Sequence, residues 1–492
     1  MTKLKLMKAV KAMQSVRTHK PLKLKTSLTA TAILMATFLS GCASKVDLAS
    51  EQNRVSEFVA KANIAGDFSG ELNVNLTDAD ETNWWQKLDS SQLNQLVTDA
   101  LANNHNVNTS QLTLKSALAR LGEQKAQYLP QGGVEIGAKR SGLGETNNRQ
   151  SNANVALDWQ LDLFGRITAL VDAANASAMS QAEKVRLLQI EVVSSVVKGF
   201  VSYQGNVEKQ RILTLQIEAL AQSIDVLQAR VDEGVANDLD LNRTMAQLRQ
   251  QQALMPAIEY AKYRDLSTLA VLTGRLAQEL KLSNEQAILE RAFNVSLNAP
   301  NKAIALRPDI SRALYDFSQA NSLSVSASKA LLPDISLTSF AGVVSIGSNG
   351  FSDTQQQWQV APQLQWSLLS YPALLAQRDA QQFLTEAAYS DYQQVVLSAL
   401  SESELSLQLL VNQAQQKHFA DERYLFANKA FLQAQAMYEE GQIPYLELLD
   451  ARQDVLIAQE NAVDSTISSL LAKVNAYQSF NGQWSYALSN TK

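Results

Sequence analysis

Histidine and cysteine are almost missing from this chain. Three histidines (His19, His105 and His418) and one cysteine (Cys42) are spread over 492 residues. A zinc centre or a Cys/His nucleophilic pair therefore lacks its materials, and no metal or other cofactor is expected. Proline (9) and glycine (19) are sparse as well. Few turns in a long chain mean long helices. The Gln, Ala, Ser and Leu that recur between the turns suit helix bundles better than the core of a globular enzyme. The phosphate-cradling loop, the G-x-S-x-G elbow, the H-E-x-x-H zinc helix and the dinucleotide fingerprint do not occur. No catalytic residue is assigned, although a site assembled only in the fold would escape this reading. The apolar run Leu28 to Leu39 is too short for a comfortable membrane helix.

What is present begins with a targeting segment. Lys3, Lys5, Lys8, Lys11, Arg17, Lys20, Lys23 and Lys25 precede the apolar run, and no acid occurs before Cys42. The run ends in Leu39-Ser40-Gly41-Cys42, which resembles a bacterial lipobox. Residues 1–41 thus read as a lipoprotein signal peptide, with Cys42 lipidated and becoming the mature N-terminus. A plain signal peptide with an incidental cysteine is the blander alternative. Ala43 follows where an aspartate would signal inner-membrane retention in enterobacteria. Met13 is an alternative start. Removing eight positive charges takes the formal charge from −5 to about −13. An acidic mature chain is a poor partner for nucleic acid.

Two short stretches alternate with the period of a strand. In Asn154 to Gly165, Val155, Leu157, Trp159, Leu161 and Leu163 oppose Ala156, Asp158, Gln160 and Asp162. In Gln359 to Leu369, Val360, Pro362, Leu364, Trp366 and Leu368 oppose Gln359, Ala361, Gln363, Gln365 and Ser367. Trp159 and Trp366 stand 207 positions apart, and the same offset relates Glu233-Gly234 to Glu440-Gly441. Pro130 and Pro333 align with a slightly different offset. The chain is a duplication, with two halves on one plan. In each half a leading helix (about 91–128; 308–331) is ended by a proline. Two strands follow (about 132–141 and 154–163; 334–346 and 358–369), joined by polar loops. A long uninterrupted helix comes next (166–231; 373–439), roughly 100 Å long at 1.5 Å per residue. A glycine turn then reverses the chain into a return helix (239–273; 446–479).

A face of Trp, Leu and Val opposite a face of Gln, Asp and Ser suits a transmembrane barrel, apolar to lipid and polar to a wet lumen. The expected lipid-facing residues are Val155, Leu157, Trp159, Leu161, Val360, Leu364, Trp366 and Leu368. Four strands cannot close a barrel, for which about eight is the practical minimum. The chain must therefore associate, and three copies supply twelve strands. A small sheet capping a helical protein is the alternative. Val185, Leu188, Val192 and Val196, like Tyr389, Tyr392, Val396 and Leu400, form narrow apolar stripes at helical spacing. Helices so long with so little apolar surface need neighbours. Sequence alone barely separates a hollow cylinder from a solid bundle.

The lipobox, Trp159–Ile167 (WQLDLFGRI), Leu272–Arg275 (LTGR), Leu306–Ile310 (LRPDI), Tyr392–Glu404 and Gly441–Gln453 (GQIPYLELLDARQ) carry a family resemblance. The chain resembles the TolC-like outer-membrane efflux family, and within it the OprM-like, NodT-type lipoprotein branch that serves resistance-nodulation-division (RND) pumps. The resemblance implies a mainly α fold with a transmembrane β-barrel. The expected assembly is a homotrimer with a twelve-stranded barrel in the outer membrane, anchored to its lipid through Cys42, on a long periplasmic α-helical barrel. An equatorial domain would draw on 42–90, 275–305 and 481–492, between repeats at 91–274 and 306–480. The implied function is that of an exit duct, not an enzyme. It would passively conduct small molecules such as drugs, which an inner-membrane RND transporter drives through a periplasmic adaptor. Ser370-Tyr371-Pro372 departs from the family's Phe-Asp-Gly-Gly-type turn, so a different local turn is expected there.

The resemblance also places the mechanism at the periplasmic tip. Glu447 and Asp450 stand three apart on one helix face. They match an acidic ring at the closed entrance, in which three-fold symmetry would crowd like charges and attract cations. Leu446 matches an apolar ring that helps close the entrance, and Asp240 an acid that holds neighbouring helices shut. Any of these acids could instead be a solvated surface group. The turns Gly234–Val235 and Gly441–Gln442–Ile443–Pro444 are the expected adaptor-docking grooves, though helix C-caps alone would explain their glycines. Two other readings remain: the duct of a type I protein secretion system, whose members usually lack a lipobox, and a periplasmic coiled-coil scaffold lipoprotein. The scaffold leaves the alternating strands and their repeat unexplained.

Overall fold

The computed structural model describes residues 47–62, 75–76, 83–143, 146–235, 237–285, 287–291, 295–297, 304, 307–346 and 354–480. The signal segment, Cys42, parts of the equatorial segments 42–90 and 275–305, and the tail 481–492 lie outside them.

The helices are α1 (Leu48–Ala62), α2 (Ser91–Asn103), α3 (His105–Ala126), α4 (Arg166–Asp232), α5 (Asp238–Leu272), the short α6 (Ala287–Glu290), α7 (Pro308–Lys329), α8 (Tyr371–Glu439) and α9 (Tyr445–Phe480). A 3-10 turn, Trp84–Leu88, precedes α2. The strands are β1 (Asn75–Leu76), β2 (Gln131–Leu143), β3 (Thr146–Leu161), β4 (Ser296–Leu297), β5 (Asp334–Ile346) and β6 (Thr354–Gln365). The fold is thus mainly α, with one four-stranded antiparallel sheet in the order β2-β3-β5-β6 and a minimal parallel pair, β1-β4.

Several boundaries differ from the sequence expectation, each for a local reason. The first leading helix is two helices. Asn104 ends α2 and caps α3, its side chain accepting from the Asn106 and Val107 N–H groups. The first hairpin is longer than its apolar core. Ladder pairing runs from Gln131↔Asp158 out to Leu143↔Thr146, so most of the polar stretch read as loop is strand. The last strand ends earlier, at Gln365. Leu368–Ser370 is a 3-10 turn leading into α8, with Pro372 in the first turn of the helix, where its missing N–H costs nothing.

The duplication is visible atom by atom. Trp159 Nε1 donates to the Tyr128 carbonyl at 2.9 Å, and Trp366 Nε1 donates to the Leu331 carbonyl at 3.2 Å. Each acceptor stands two residues before its proline, Pro130 or Pro333, so each half clasps the end of a strand to the end of its leading helix. At the start of α4, Asp162 accepts from the Ile167 and Thr168 N–H groups and from the Thr168 hydroxyl. Partial burial works to raise the Asp162 carboxyl. The hydrogen bonds from Thr168, Ile167 and Arg166 outweigh it and hold the group below its ordinary value.

The main core lies midway along the long helices, where Val192, Val196, Phe200 and Val201 of α4 meet Leu269 of α5 and Leu470, Val474 and Tyr477 of α9. The stripe residues Val185, Tyr392, Val396 and Leu400 are buried as well. Trp84 stacks on Tyr477, with centroids 4.8 Å apart, which straps the segment before α2 against α9. The LTGR stretch is a clasp: Asn104 Nδ2 donates to the Leu272 carbonyl and Arg275 Nη2 to Asp99 Oδ2. Gly274 adopts φ 70°, and a Cβ there would stand 2.8 Å from the Asn103 carbonyl oxygen. In LRPDI, Arg307 is the knot. Its Nε and Nη2 fork onto Asp309 at 3.0 and 2.9 Å, Nη2 also reaches Glu402 of α8 at 2.5 Å, and Nη1 reaches the Ser479 carbonyl of α9 at 3.2 Å.

Candidate functional site: a two-faced sheet and a helical tip

Residues directly opposite each other on neighbouring strands point to the same face. The register therefore sorts the whole sheet. One face carries the rows Val134–Val155–Ala341–Trp358, Gly132–Leu157–Ser339–Val360, Trp159–Leu337–Pro362 and Leu161–Ile335–Leu364. The other carries Glu135–Asn154–Gly342–Gln357, Gly133–Ala156–Phe340–Gln359, Gln131–Asp158–Thr338–Ala361 and Gln160–Ser336–Gln363. Val155, Leu157, Trp159, Val360 and Leu364 are exposed on the apolar face, and Leu161 is half-buried there. The other two residues lie outside the strands. Trp366 lies one residue past β6, turned back onto Leu331, and Leu368 stands on the 3-10 turn. Both are exposed, but neither belongs to the ladder. A cavity lined by Gln150, Asn152, Asn154 and Gln357 opens on the polar face. Among the described residues the outer edges β2 and β6 have no further strand partner.

Among the described residues no helix is long and apolar enough to cross a membrane. None of their His, Cys, Asp and Glu residues cluster so as to hold a metal ion.

At the far end of the helices, both reversals are Schellman turns. Val235 N–H donates to the Arg230 carbonyl and Gly234 N–H to Val231; Gln442 N–H donates to Met437 and Gly441 N–H to Tyr438. Gly234 and Gly441 sit at φ 76° and 72°, the left-handed region such a cap requires. Val235, Gln442 and Pro444 are exposed and Ile443 half-buried. Glu447 and Asp450 are exposed in the first turns of α9, beside exposed Leu446. Asp240 is half-buried in the first turn of α5, its N–H capped by Asn237. Acids at both helix N-termini are favoured by the helix dipole as well.

Sequence reasoning missed what holds the tip together. Tyr445 is buried with Leu227, Leu241, Leu448 and Leu449, and packs edge-on against Tyr438. The Thr244 hydroxyl donates to the Asp240 carbonyl and meets the Tyr445 hydroxyl at 3.1 Å, which links α5 to α9. Burial pushes the Tyr445 phenol up. Arg452 Nη1 donates to Ser223 of α4 at 2.7 Å, with its guanidinium over the Phe431 ring of α8. The only sequence signal was the LELLDAR run itself, and it names none of the partners across the turn.

A sheet with one greasy and one wet face, mounted on helices too polar for the bilayer, defines a membrane channel of mixed strand and helix construction. The profile of the Outer membrane efflux protein family matches residues 96–275 and 299–482, well over half of the chain. The chain belongs to that family, whose members are channels of the outer membrane. It is 23% identical over 421 residues to the pyoverdine export outer membrane protein OpmQ of Pseudomonas aeruginosa, covering 82% of this chain and 88% of that protein. It is 26% identical over 413 residues to the probable outer membrane lipoprotein SilC of Salmonella typhimurium, with 82% and 88% covered. Among solved structures it resembles the outer-membrane channel OprN, with a TM-score of 0.76, 24% identity, and 82% of this chain and 92% of that one covered.

Proposed function

We propose that three copies of this chain close their sheets into a twelve-stranded barrel. The protein would then serve as the exit duct of a tripartite efflux pump, passing small molecules from an inner-membrane RND transporter and its periplasmic adaptor to the exterior. The observation that carries this reading is the register: from Leu161 to Val155 the rows are mainly apolar on one face and mostly polar on the other, while β2 and β6 have no outer partner among the described residues. Edge strands of that length are normally covered, and a neighbouring copy covers them by joining β6 to β2. Exposed Phe383, Leu405, Phe419 and Phe426 on α8, and Tyr260 and Tyr263 on α5, support the same association. The names of relatives, pyoverdine export for one and toluene efflux for another, point to small-molecule cargo. Cys42 would add a lipid anchor, in keeping with the lipoprotein relative.

In this reading Leu446, Glu447 and Asp450 ring the periplasmic entrance, and Asp240, through the Thr244–Tyr445 contact, sits on the joint that holds α5 against α9. Replacing Glu447 and Asp450 together by alanine is expected to raise single-trimer conductance in planar bilayers and to abolish block by multivalent cations. Block that persists unchanged removes the gate from these residues. The exposed turns Gly234–Val235 and Gly441–Pro444 are the adaptor contacts. A photo-crosslinker placed at Ile443 in living cells is expected to capture the adaptor of an RND pump, identified by mass spectrometry. Capture of an adaptor from an ATP-driven protein exporter would keep the duct and overturn its cargo.

A further inference from the structure

The four long strands hold six charged residues: Glu135, Lys139 and Arg140 on β2, Arg149 and Asp158 on β3, and Asp334 on β5. The register places Glu135, Lys139, Asp158 and Asp334 on the polar face. Only Arg140 and Arg149 share the face of Val134, Val155 and Trp358. They are directly opposite each other in the β2–β3 ladder. Both are exposed. Neither makes an ion pair or hydrogen bond with a described residue. Like charges directly opposite on a sheet repel, at Cβ separations of about 5 Å. A face cleared of every other charge thus keeps two cations where they are worst placed for each other.

Their height explains where such a pair is tolerated. The mainly apolar rows run from Leu161–Ile335–Leu364 to Ile136–Ala153–Val343, which meets the polar Gln356 on β6. That is eight residues, roughly 20 Å along the membrane normal for a strand tilted by about 40°, near the height of a barrel's apolar band. Arg149 lies four residues further, about 10 Å beyond the last apolar row, at the end of the sheet remote from the helices. That is headgroup depth, and with the helices in the periplasm it is the outer leaflet. Paired guanidiniums present forked donors matched to phosphate oxygens, and an anion between them cancels the repulsion.

We propose that Arg140 and Arg149 form a binding site for a phosphate group of an anionic outer-leaflet glycolipid, once per protomer on the outside of the barrel. The inference rests on the barrel reading above, which fixes the outward face as the lipid face. The site ties the β2–β3 hairpin to the leaflet around it, and it contributes nothing to the lumen.

The test uses the full-length protein in phosphatidylcholine nanodiscs doped with a bis-phosphorylated glycolipid, with bound glycolipid per trimer counted by native mass spectrometry. Wild type is expected to retain the glycolipid, and Arg140→Gln/Arg149→Gln to retain about tenfold less or lower still. Lys139→Gln removes the same charge from the neighbouring residue on the opposite face and is expected to match wild type. The proposal is overturned if the double variant retains as much as wild type, if Lys139→Gln loses as much, or if a dephosphorylated glycolipid is held equally well. Excess inorganic phosphate that occupies the pair in place of the glycolipid would overturn the lipid as the ligand. Conductance is recorded on the same samples. A conducting wild-type trimer with an unaffected double variant fails this site alone, whereas a wild type that forms no conducting trimer fails the barrel reading and the site with it.

Discussion

Val155→Arg is expected to abolish the heat-resistant oligomer, whereas Asn154→Arg, one residue away, is expected to leave it intact. The two positions are neighbours on β3 and face opposite ways. Val155 lies in the apolar row with Val134, Ala341 and Trp358, and Asn154 lies opposite Glu135 in the polar row. A basic residue on the lipid side near mid-membrane costs about 2–4 kcal/mol. A three-fold assembly suffers that cost three times. On the polar side an arginine meets water and the Glu135 carboxylate, so it costs little. Outer-membrane fractions run on gels with and without heating read the difference. Equal loss from both substitutions would mean the sheet does not sort lipid from lumen, and the barrel reading would fall with it.

The second large effect is expected at Arg307. Arg307 is 8% exposed and joins the start of α7, the middle of α8 and the last turn of α9. Burial alone would lower its affinity for the proton, but Asp309 and Glu402 outweigh that and keep the guanidinium charged. Methionine of similar length would leave the Ser479 carbonyl without the guanidinium and Asp309 with the Ile310 N–H alone. Breaking a buried pair by removing one partner typically costs about 3–5 kcal/mol. Glu402 is half-exposed and rehydrates, so the lower end of that range applies. Urea unfolding followed by circular dichroism is expected to show a clear fall in midpoint for Arg307→Met. Arg307→Lys should fall between the two, because an ammonium keeps the charge and cannot fork. A midpoint for Arg307→Met within error of wild type would show that the knot is ornamental.

The strands were legible because lipid on one side and water on the other impose a strict period of two, and few soluble contexts do so on both Val155–Leu161 and Val360–Leu364. Strand ends were not. Trp366 and Leu368 continue the alternation after the backbone has left the ladder, because exposed apolar residues of the following turn keep the same spacing. Thr146 to Ala153 looked like loop because its residues are mostly polar, yet ladder hydrogen bonds hold a strand there whatever its side chains. Asn104 was passed over inside a helical run, where its capping role depends on backbone angles that composition does not encode. At the tip, Glu447 and Asp450 stood out only through family resemblance. The Thr244–Tyr445 contact joins residues 201 positions apart, and a single sequence carries no trace of such a pairing.

The open edges β2 and β6 bear on the life of the protein before it is finished. A protomer still waiting for its neighbours is a strand template at both ends of the described sheet, and its apolar sheet face is largely exposed. Its hazards are those of an unprotected intermediate: pairing with the wrong chain, and degradation while waiting. Closing a ring from such pieces depends steeply on how many are present at once, so a modest drop in supply lowers assembled channels more than proportionally. Selection on expression level and on periplasmic holding factors would then shape the abundance of this duct as strongly as selection on its folded stability.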